Sequence, residues 1–152
     1  MQVVEALVNR CYGGFGASNK AKDLYIERTG KPLKMIHEGL RTDPILIQIV
    51  KELGIEAKGQ YSIIVVCQAV ENYWDIYEYD GLEQLYFTDN VSLDVEQIVL
   101  DKTKTPEEKI KILCDAYEEK NKARELSTRL WELNQQEFNK NRRIRNAGIL
   151  DP

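Results

Sequence analysis

The stretch VNRCYGGFGASNKA, residues 8–21, decides how the first half of this chain is organised. It follows a short β-branched segment that predicts a strand over Val3–Asn9. It precedes a helix-like segment that begins near Ser18. Its three glycines permit a tight turn in which backbone amides can approach another group closely. The stretch therefore predicts a strand, a soft turn and a helix, with the turn as a candidate binding site.

Two helices carry clear boundary signals. The segment KAKDLYIER has Ser18 or Asn19 as its N-cap and ends at Gly30. The segment RTDPILIQIVKELG has Asp43 at the N-cap, Pro44 in the first helical position and a glycine just past its end. Between these two helices, LKMIHEGL is ambiguous and favours an extended connector.

The middle of the chain is rich in strand signals. The β-branched run QYSIIVVCQAV predicts a strand buried on both faces. The alternating segment NYWDIYEYDG ends in Asp80–Gly81 and predicts the hairpin partner of that strand, followed by a tight turn. The segment EQLYFTD adds another short strand.

The composition changes at Thr105, which begins a helix with a hydroxyl cap, a proline and two acidic residues. A single helix from there would span roughly 60 Å, beyond the roughly 30–40 Å width of a compact domain of this size. The segment is therefore either a helix pair or one helix that packs on another subunit. We predict an α+β fold with a small, mostly antiparallel sheet, helices on one side and this long C-terminal helical segment used for dimerisation. A ligand-binding core covers 1–104 and the helical segment covers 105–152, within one domain.

The composition narrows the class of protein. Its 152 residues are 43% hydrophobic and 30% charged, which is typical of a globular protein. A net charge of -4 argues against a DNA or RNA partner, since such binders need excess cations. No apolar run approaches membrane-spanning length and no leader peptide is evident, so we expect a cytoplasmic protein with no membrane partner. Three scattered cysteines indicate reduced thiols and no metal site.

The glycine-rich turn has the parts of a phosphate site. A turn that enters a helix collects unpaired amides, which favour an anion. Arg10 and Ser18 flank the turn, and Tyr12 and Phe15 could offer a flat face to a base. The motif is neither GxGxxG nor a P-loop. The alternative is a strand-to-helix turn whose aromatic rings fill the core.

Arginines elsewhere supply further candidates. Arg41 lies beside the N-cap Asp43 and could hold a phosphate, or pair with a nearby carboxylate. Arg28, in the last turn of its helix, could serve a ligand or only complement the helix dipole. Arg124 and Arg129 lie on the late helix, which could deliver them into the pocket of a partner subunit.

Catalytic signals are weak. His37 is the single histidine, and no nucleophile pattern adjoins it. The carboxylates Asp75, Glu78 and Asp80 alternate along a strand and favour a solvated edge over an acid–base pair. We predict a protein that is not an enzyme, with no catalytic residue, cofactor or metal.

Three motifs in series, NRCYGGFGASNKA, RTDPILIQIVKELG and YWDIYEYDGLE, resemble a group of small bacteriophage proteins over roughly the first 85 residues. The group shares an N-terminal YGGF loop, an R-x-DP helix and an EYDG hairpin end, and it resembles the phage anti-Thoeris sponge family of the first type. The resemblance implies a non-enzymatic sponge in the cytoplasm of an infected bacterium. Such proteins sequester cyclic ADP-ribose isomers made by TIR-domain enzymes. They dimerise, and some form hexamers and hold cyclic oligonucleotides.

The candidate ligand contacts rest on residue type, because no family contact aligns beyond the three motifs. They are Asn9, Arg10, Tyr12, Gly13, Gly14, Phe15, Ser18, Arg28, Arg41, Asp43, Arg124 and Arg129. Two other functions fit the sequence: a phage inhibitor that binds a host protein through its helical arm, and a small nucleotide-processing enzyme.

Overall fold

The computed structural model describes residues 1–89 and 94–149, with residues 141–149 described by their backbone alone. It is an α+β fold with two small antiparallel sheets, which confirms the predicted fold class. The elements are β1 (Val3–Asn9), α1 (Asn19–Thr29), α2 (Pro44–Leu53), β2 (Ile64–Val70), β3 (Trp74–Tyr79), β4 (Leu82–Phe87), α3 (Val95–Leu100) and α4 (Pro106–Ile149). Short 3-10 turns cover Glu38–Leu40 and Gly54–Ala57.

The first two helices begin and end where the sequence predicts. The Ser18 hydroxyl accepts a hydrogen bond from the N–H of Ala21 at 3.1 Å, and Gly30 ends α1 with a φ of 70°. The Asp43 carboxylate accepts from the N–H of Leu46 at 3.0 Å at the start of α2. Local capping therefore accounts for both helix starts.

The strands pair differently from the prediction. β1 pairs antiparallel with β2, with Val3 opposite Val70 and Asn9 opposite Ile64. β3 pairs with β4, so the predicted β2–β3 hairpin is wrong. The turn Asp80–Gly81, with φ values of 49° and 86°, closes the β3–β4 hairpin instead. Two positive φ values in a two-residue turn match the twist of the strands on both sides, which is why this turn joins β3 to its successor.

The β1–β2 sheet is buried on both faces, as predicted for β2. On one face, Leu7 and Ile64 pack against α1 and α2. On the other face, Val8 and Val65 pack beneath the β3–β4 hairpin and against Phe138 of α4. A two-stranded sheet is stable here because each of its faces is covered by another layer.

The C-terminal segment is one continuous helix of 44 residues, about 66 Å long. Thr105 and Glu108 form a reciprocal capping box at its start. Its Ala123 and Leu130 pack with Val70 of β2, so part of this helix covers the core of its own chain. Of the two alternatives, a helix pair is therefore wrong, and a subunit contact through the rest of α4 stays a prediction. Residues 150–152 of the predicted segment lie outside the described residues.

No helix within the described ranges 1–89 and 94–149 is both long and apolar enough to cross a bilayer.

A buried ion pair fastens the hairpin to the rest of the fold. Arg41, just before α2, pairs with Glu83 of β4, and both residues are buried. Arg41 also donates to the carbonyl of Leu7 at 2.8 Å. Burial raises the pKa of Glu83 above its ordinary value even with the Arg41 guanidinium beside it.

We expect Arg41→Ala to lower the free energy of unfolding by roughly 3–5 kcal/mol at neutral pH, because it leaves a buried carboxylate unpaired. Urea titration measures this loss. Without the Arg41 guanidinium, the pKa of Glu83 in the folded variant should rise further above its value in the unfolded chain. A carboxyl that binds its proton more tightly in the folded state than in the unfolded state stabilises the folded state as the pH falls. The loss should therefore shrink as the pH falls towards the ordinary value of 4.5.

The matched control replaces both charges, as Arg41→Met with Glu83→Leu. Removing both partners leaves no unpaired charge, so this double variant should regain most of the lost stability. A double variant as unstable as Arg41→Ala at every pH would contradict the interpretation.

Candidate functional site

The glycine-rich turn packs against the tip of the β3–β4 hairpin. The Gly13 N–H donates to the Asp80 carbonyl at 3.1 Å, and Gly13 has a φ of 124°. A Cβ at Gly81 would lie 1.8 Å from the Gly13 carbonyl oxygen. Phe15 is buried in the core, whereas Tyr12 is 60% exposed. The backbone of the turn thus packs closely against the backbone of the hairpin tip. Of the two aromatic rings in the turn, only that of Tyr12 is exposed enough to contact a ligand.

Asn9 organises this crossing from a fully buried position. Its Nδ2 donates to the carbonyl of Gly81 at 2.9 Å and to that of Cys11 at 3.2 Å. Its Oδ1 accepts from the N–H of Ile63 at 3.1 Å. The Asn9 carboxamide, predicted as a ligand contact, therefore joins three segments of the fold in this structure.

We expect Asn9→Ala to lower the free energy of unfolding by about 2 kcal/mol or more, because buried carbonyl and N–H groups lose their partner. Asn9→Asp should be at least as damaging, since a carboxylate faces the same carbonyls without a donor. Asn19→Ala, at an exposed asparagine in α1, is the control and should leave chemical denaturation almost unchanged. Equal stability of Asn9→Ala and the wild type would contradict this role.

Three other predicted contacts are occupied by the fold. The Ser18 hydroxyl caps α1, and the Asp43 carboxylate caps α2 while it accepts from the Tyr25 hydroxyl at 3.2 Å. Arg41 is committed to Glu83 and lies with its guanidinium carbon 5.2 Å from the centre of the Phe15 ring. Of the alternatives for Arg41, the structure favours the pairing with a carboxylate, although the carboxylate is not Asp43.

The remaining arginines lie apart from one another. Arg28 forms an ion pair with Glu52 at 2.6 Å, which lowers the pKa of Glu52. Arg124 lies with its guanidinium carbon 5.5 Å from the centre of the Phe87 ring and 3.8 Å from the Asp89 carboxylate. Arg129 is exposed on α4. Within one chain, none of these three arginines lines the cleft between β2, α2 and α4.

A cleft of about 860 Å³ lies between the outer edge of β2, the end of α2 and the second half of α4. Ligand pockets typically fall between about 300 and 1,000 Å³. Two of the predicted contacts, Arg10 and Tyr12, line this cleft. The glycine-rich turn thus contributes through the residues at its start.

The cleft is locally basic in an acidic protein. Arg10, Lys51 and Lys58 line it, against one carboxylate, Glu137. The Lys51 ammonium is paired with Glu5 at 2.6 Å, so Arg10 and Lys58 carry the positive character of the cleft. Arg10 donates to the Glu83 carbonyl at 3.0 Å, and its guanidinium carbon lies 4.5 Å from the centre of the Phe138 ring. These contacts hold a cation at the cleft, where an anionic group would be attracted.

Sequence reasoning missed the part of the cleft that α4 supplies. Trp131, Asn134 and Phe138 recur at spacings of three and four, so they share one face of the helix. The sequence predicts Trp131 and Phe138 only as packing residues. The signal was present in their spacing, but only tertiary structure shows that this face meets the edge of β2 next to Lys58.

The cleft also contains a thiol. Burial raises the pKa of Cys67 to about 11, while Cys11 is partly exposed and Cys114 is exposed. Burial thus keeps the Cys67 thiol protonated at neutral and mildly alkaline pH. Cys67 is therefore an inert wall residue.

We expect a thiol-specific reagent at pH 8 to label Cys114 fastest and Cys67 slowest in the native protein. Mass spectrometry of the digested protein measures each rate. In denaturant the three thiols should react alike. Rapid labelling of native Cys67 would show that the cleft is far more open than described.

The single histidine of the chain lies outside this cleft. The Nδ1 of His37 accepts from the N–H of Gly39 at 3.2 Å, and His37 does not line the cleft. Within the part of the chain that the structure describes, no group of three or more histidine, cysteine or acidic residues is placed to hold a metal ion.

No protein-family model, no curated protein and no solved structure matches this chain.

Proposed function

We propose that this protein binds a phosphate-bearing, nucleotide-derived small molecule in the cleft between β2 and α4, without altering it. The observation that carries the proposal is the cleft itself. It combines the cationic side chains of Arg10 and Lys58 with the rings of Tyr12, Trp131 and Phe138 on apolar walls. Cations suit phosphate oxygens, and aromatic faces suit a base.

The size and charge of the cleft support a dinucleotide-like ligand. A cyclic ADP-ribose isomer carries a pyrophosphate with two negative charges, ribose hydroxyls and one adenine. Arg10 and Lys58 would meet the pyrophosphate, and Gln84 and Gln135 would meet hydroxyls. Binding a small ligand tightly requires burial of most of its surface in a largely preformed site.

The resemblance of the three sequence motifs to phage anti-Thoeris sponges completes the proposal. On this proposal the protein sequesters a cyclic ADP-ribose isomer from a TIR-domain enzyme in the cytoplasm of an infected bacterium. Cyclic oligonucleotides are a further candidate ligand class. A sponge needs slow release and no chemistry, which suits a cleft that His37 does not line.

A second copy of the chain is part of the proposal, as a homodimer or a higher assembly such as a hexamer. The first turns of α4 and the short α3 expose apolar side chains, among them Leu100, Ile110 and Tyr117. Burying such a surface against a partner is favourable, and large exposed apolar patches typically mark interfaces. Arg124 and Arg129 on the exposed part of α4 could then reach a partner's cleft.

We expect Lys58→Glu to weaken retention of a cyclic ADP-ribose isomer about tenfold or more, because it replaces a cation by an anion beside the phosphates. The protein is expressed beside an active TIR-domain enzyme, and native mass spectrometry reports bound mass and subunit number. Heating should release the ligand unchanged, whereas a chemically altered product would make the protein an enzyme.

Lys31→Glu is the matched control, since Lys31 is exposed and lies outside the cleft. It makes the same change in net charge and should leave retention intact. Equal retention by Lys58→Glu and Lys31→Glu would place the ligand elsewhere.

A second candidate function is inhibition of a host protein through the helical arm, which the exposed apolar residues of α3 and α4 favour. In that case Ile110→Asp and Tyr117→Asp would abolish the capture of one stoichiometric host protein, and no nucleotide would bind. Such variants that remain monomeric and still retain nucleotide would exclude both the inhibitor and any need for a subunit contact.

A further inference from the structure

One edge of β2 is paired with β1, and the other faces the cleft. Successive residues of a strand direct their N–H and C=O groups to opposite edges. The Arg10 N–H donates to the Ile63 carbonyl at 2.8 Å, so residue 63 faces β1. By alternation, Ile64, Val66 and Gln68 direct their backbone groups to the outer edge.

A side-chain amide closes this outer edge at one position. Asn134 on α4 accepts from the Gln68 N–H through Oδ1 and donates to the Gln68 carbonyl through Nδ2, both at 2.9 Å. The carboxamide takes the place that a neighbouring strand would occupy. The outer edge of β2 is thus built to receive a planar group with an adjacent donor and acceptor.

The next outward position repeats this pattern without a partner. Val66 presents an N–H and a C=O towards the cleft that it lines. Neither group has a hydrogen-bond partner among the described residues. An unpaired donor and acceptor on a largely apolar wall favour a ligand that satisfies both.

We propose that the Val66 N–H and C=O recognise the amino edge of an adenine in the bound ligand. Adenine presents its amino group as a donor beside a ring nitrogen that accepts, and carboxamides pair with that edge in the same two-bond manner. The ring nitrogen accepts from the Val66 N–H, and the amino group donates to the Val66 carbonyl. This subsite rests on the proposed function and adds the backbone groups that would recognise the adenine of the ligand.

The surroundings of Val66 favour a single flat ring. Ile55, just past α2, lines the cleft on one side of the sheet and is 47% exposed. Phe138 lines it on the other side. A purine between them would bury both of its faces while its edge meets the strand. Lys58 lines the same cleft and would face the phosphates.

An added peptide strand suits this edge less well. Asn134 occupies Gln68, and the Tyr73 N–H donates to the Val70 carbonyl at 3.0 Å. Among the described residues of β2, Ile64 and Val66 are thus the outward positions where both backbone groups stay open. A strand in a globular protein typically runs about five to six residues. Two open positions offer little to a strand and are sufficient for one base.

The test compares ADP-ribose with its hypoxanthine counterpart, inosine diphosphate ribose, on the wild-type protein by isothermal titration calorimetry. Hypoxanthine has a carbonyl where adenine has the amino group, so it would face the Val66 carbonyl with a second acceptor. We expect its affinity to be lower by roughly 5- to 150-fold, the range for one two-bond contact to a base. In ¹⁵N-labelled protein, the Val66 amide should exchange with solvent more slowly when ADP-ribose is bound.

The outcomes are separable. Equal binding of the two probes, with no protection of the Val66 amide, overturns this subsite and leaves the proposed function standing. Binding of neither probe overturns the subsite, and the retention of a cyclic ADP-ribose isomer measured by native mass spectrometry then decides the proposed function separately. Protection of Ile64 and Val66 amides without ligand, rising with protein concentration, would show a strand from a second copy on this edge and would also overturn the subsite.

Val66→Pro adds a check on the same atoms. It removes only an N–H that points away from β1, a position where an edge strand tolerates proline. The folded variant keeps the carbonyl at position 66, so it should still prefer ADP-ribose to the hypoxanthine probe, but its affinity for ADP-ribose should fall because the ring nitrogen has lost its donor. If the variant does not fold, the wild-type comparison and the exchange measurement still decide.

Discussion

The constraint on which this fold depends is that a sheet of only two strands is apolar on both faces. β1 and β2 place Leu7 and Ile64 on one face and Val8 and Val65 on the other. Each face needs a cover, since exposed apolar surface is costly. Helices α1 and α2 cover the first face, and the hairpin together with α4 covers the second.

The ion pair between Arg41 and Glu83 and the buried Asn9 carboxamide follow from this arrangement. They join elements that meet only because both faces are covered, and they satisfy backbone groups at the crossings. Polar side chains predicted as ligand contacts near the glycine-rich turn therefore form hydrogen bonds and ion pairs within the fold. The cleft forms beside them, where α4 passes the outer edge of β2.

That outer edge connects the fold to the proposed function. Both strands of a two-stranded sheet are edge strands, and each buried edge group that is unpaired needs a partner. Asn134 supplies one partner from within the chain, at Gln68. The Val66 backbone groups have no partner among the described residues, and the cations Arg10 and Lys58 lie along the same cleft. A single groove thus offers hydrogen-bonding, apolar and electrostatic contacts together.

The sequence alone determined the features that depend on neighbours along the chain. Caps at Ser18 and Asp43, the strand Val3–Asn9 and the Asp80–Gly81 turn follow from local backbone and side-chain preferences. Tertiary structure decided which strands pair and which polar groups are consumed. Tertiary structure pairs Arg41 with Glu83 and places the α4 face that carries Trp131 and Phe138 beside β2. These contacts join residues that lie far apart in the chain, so local preferences do not determine them.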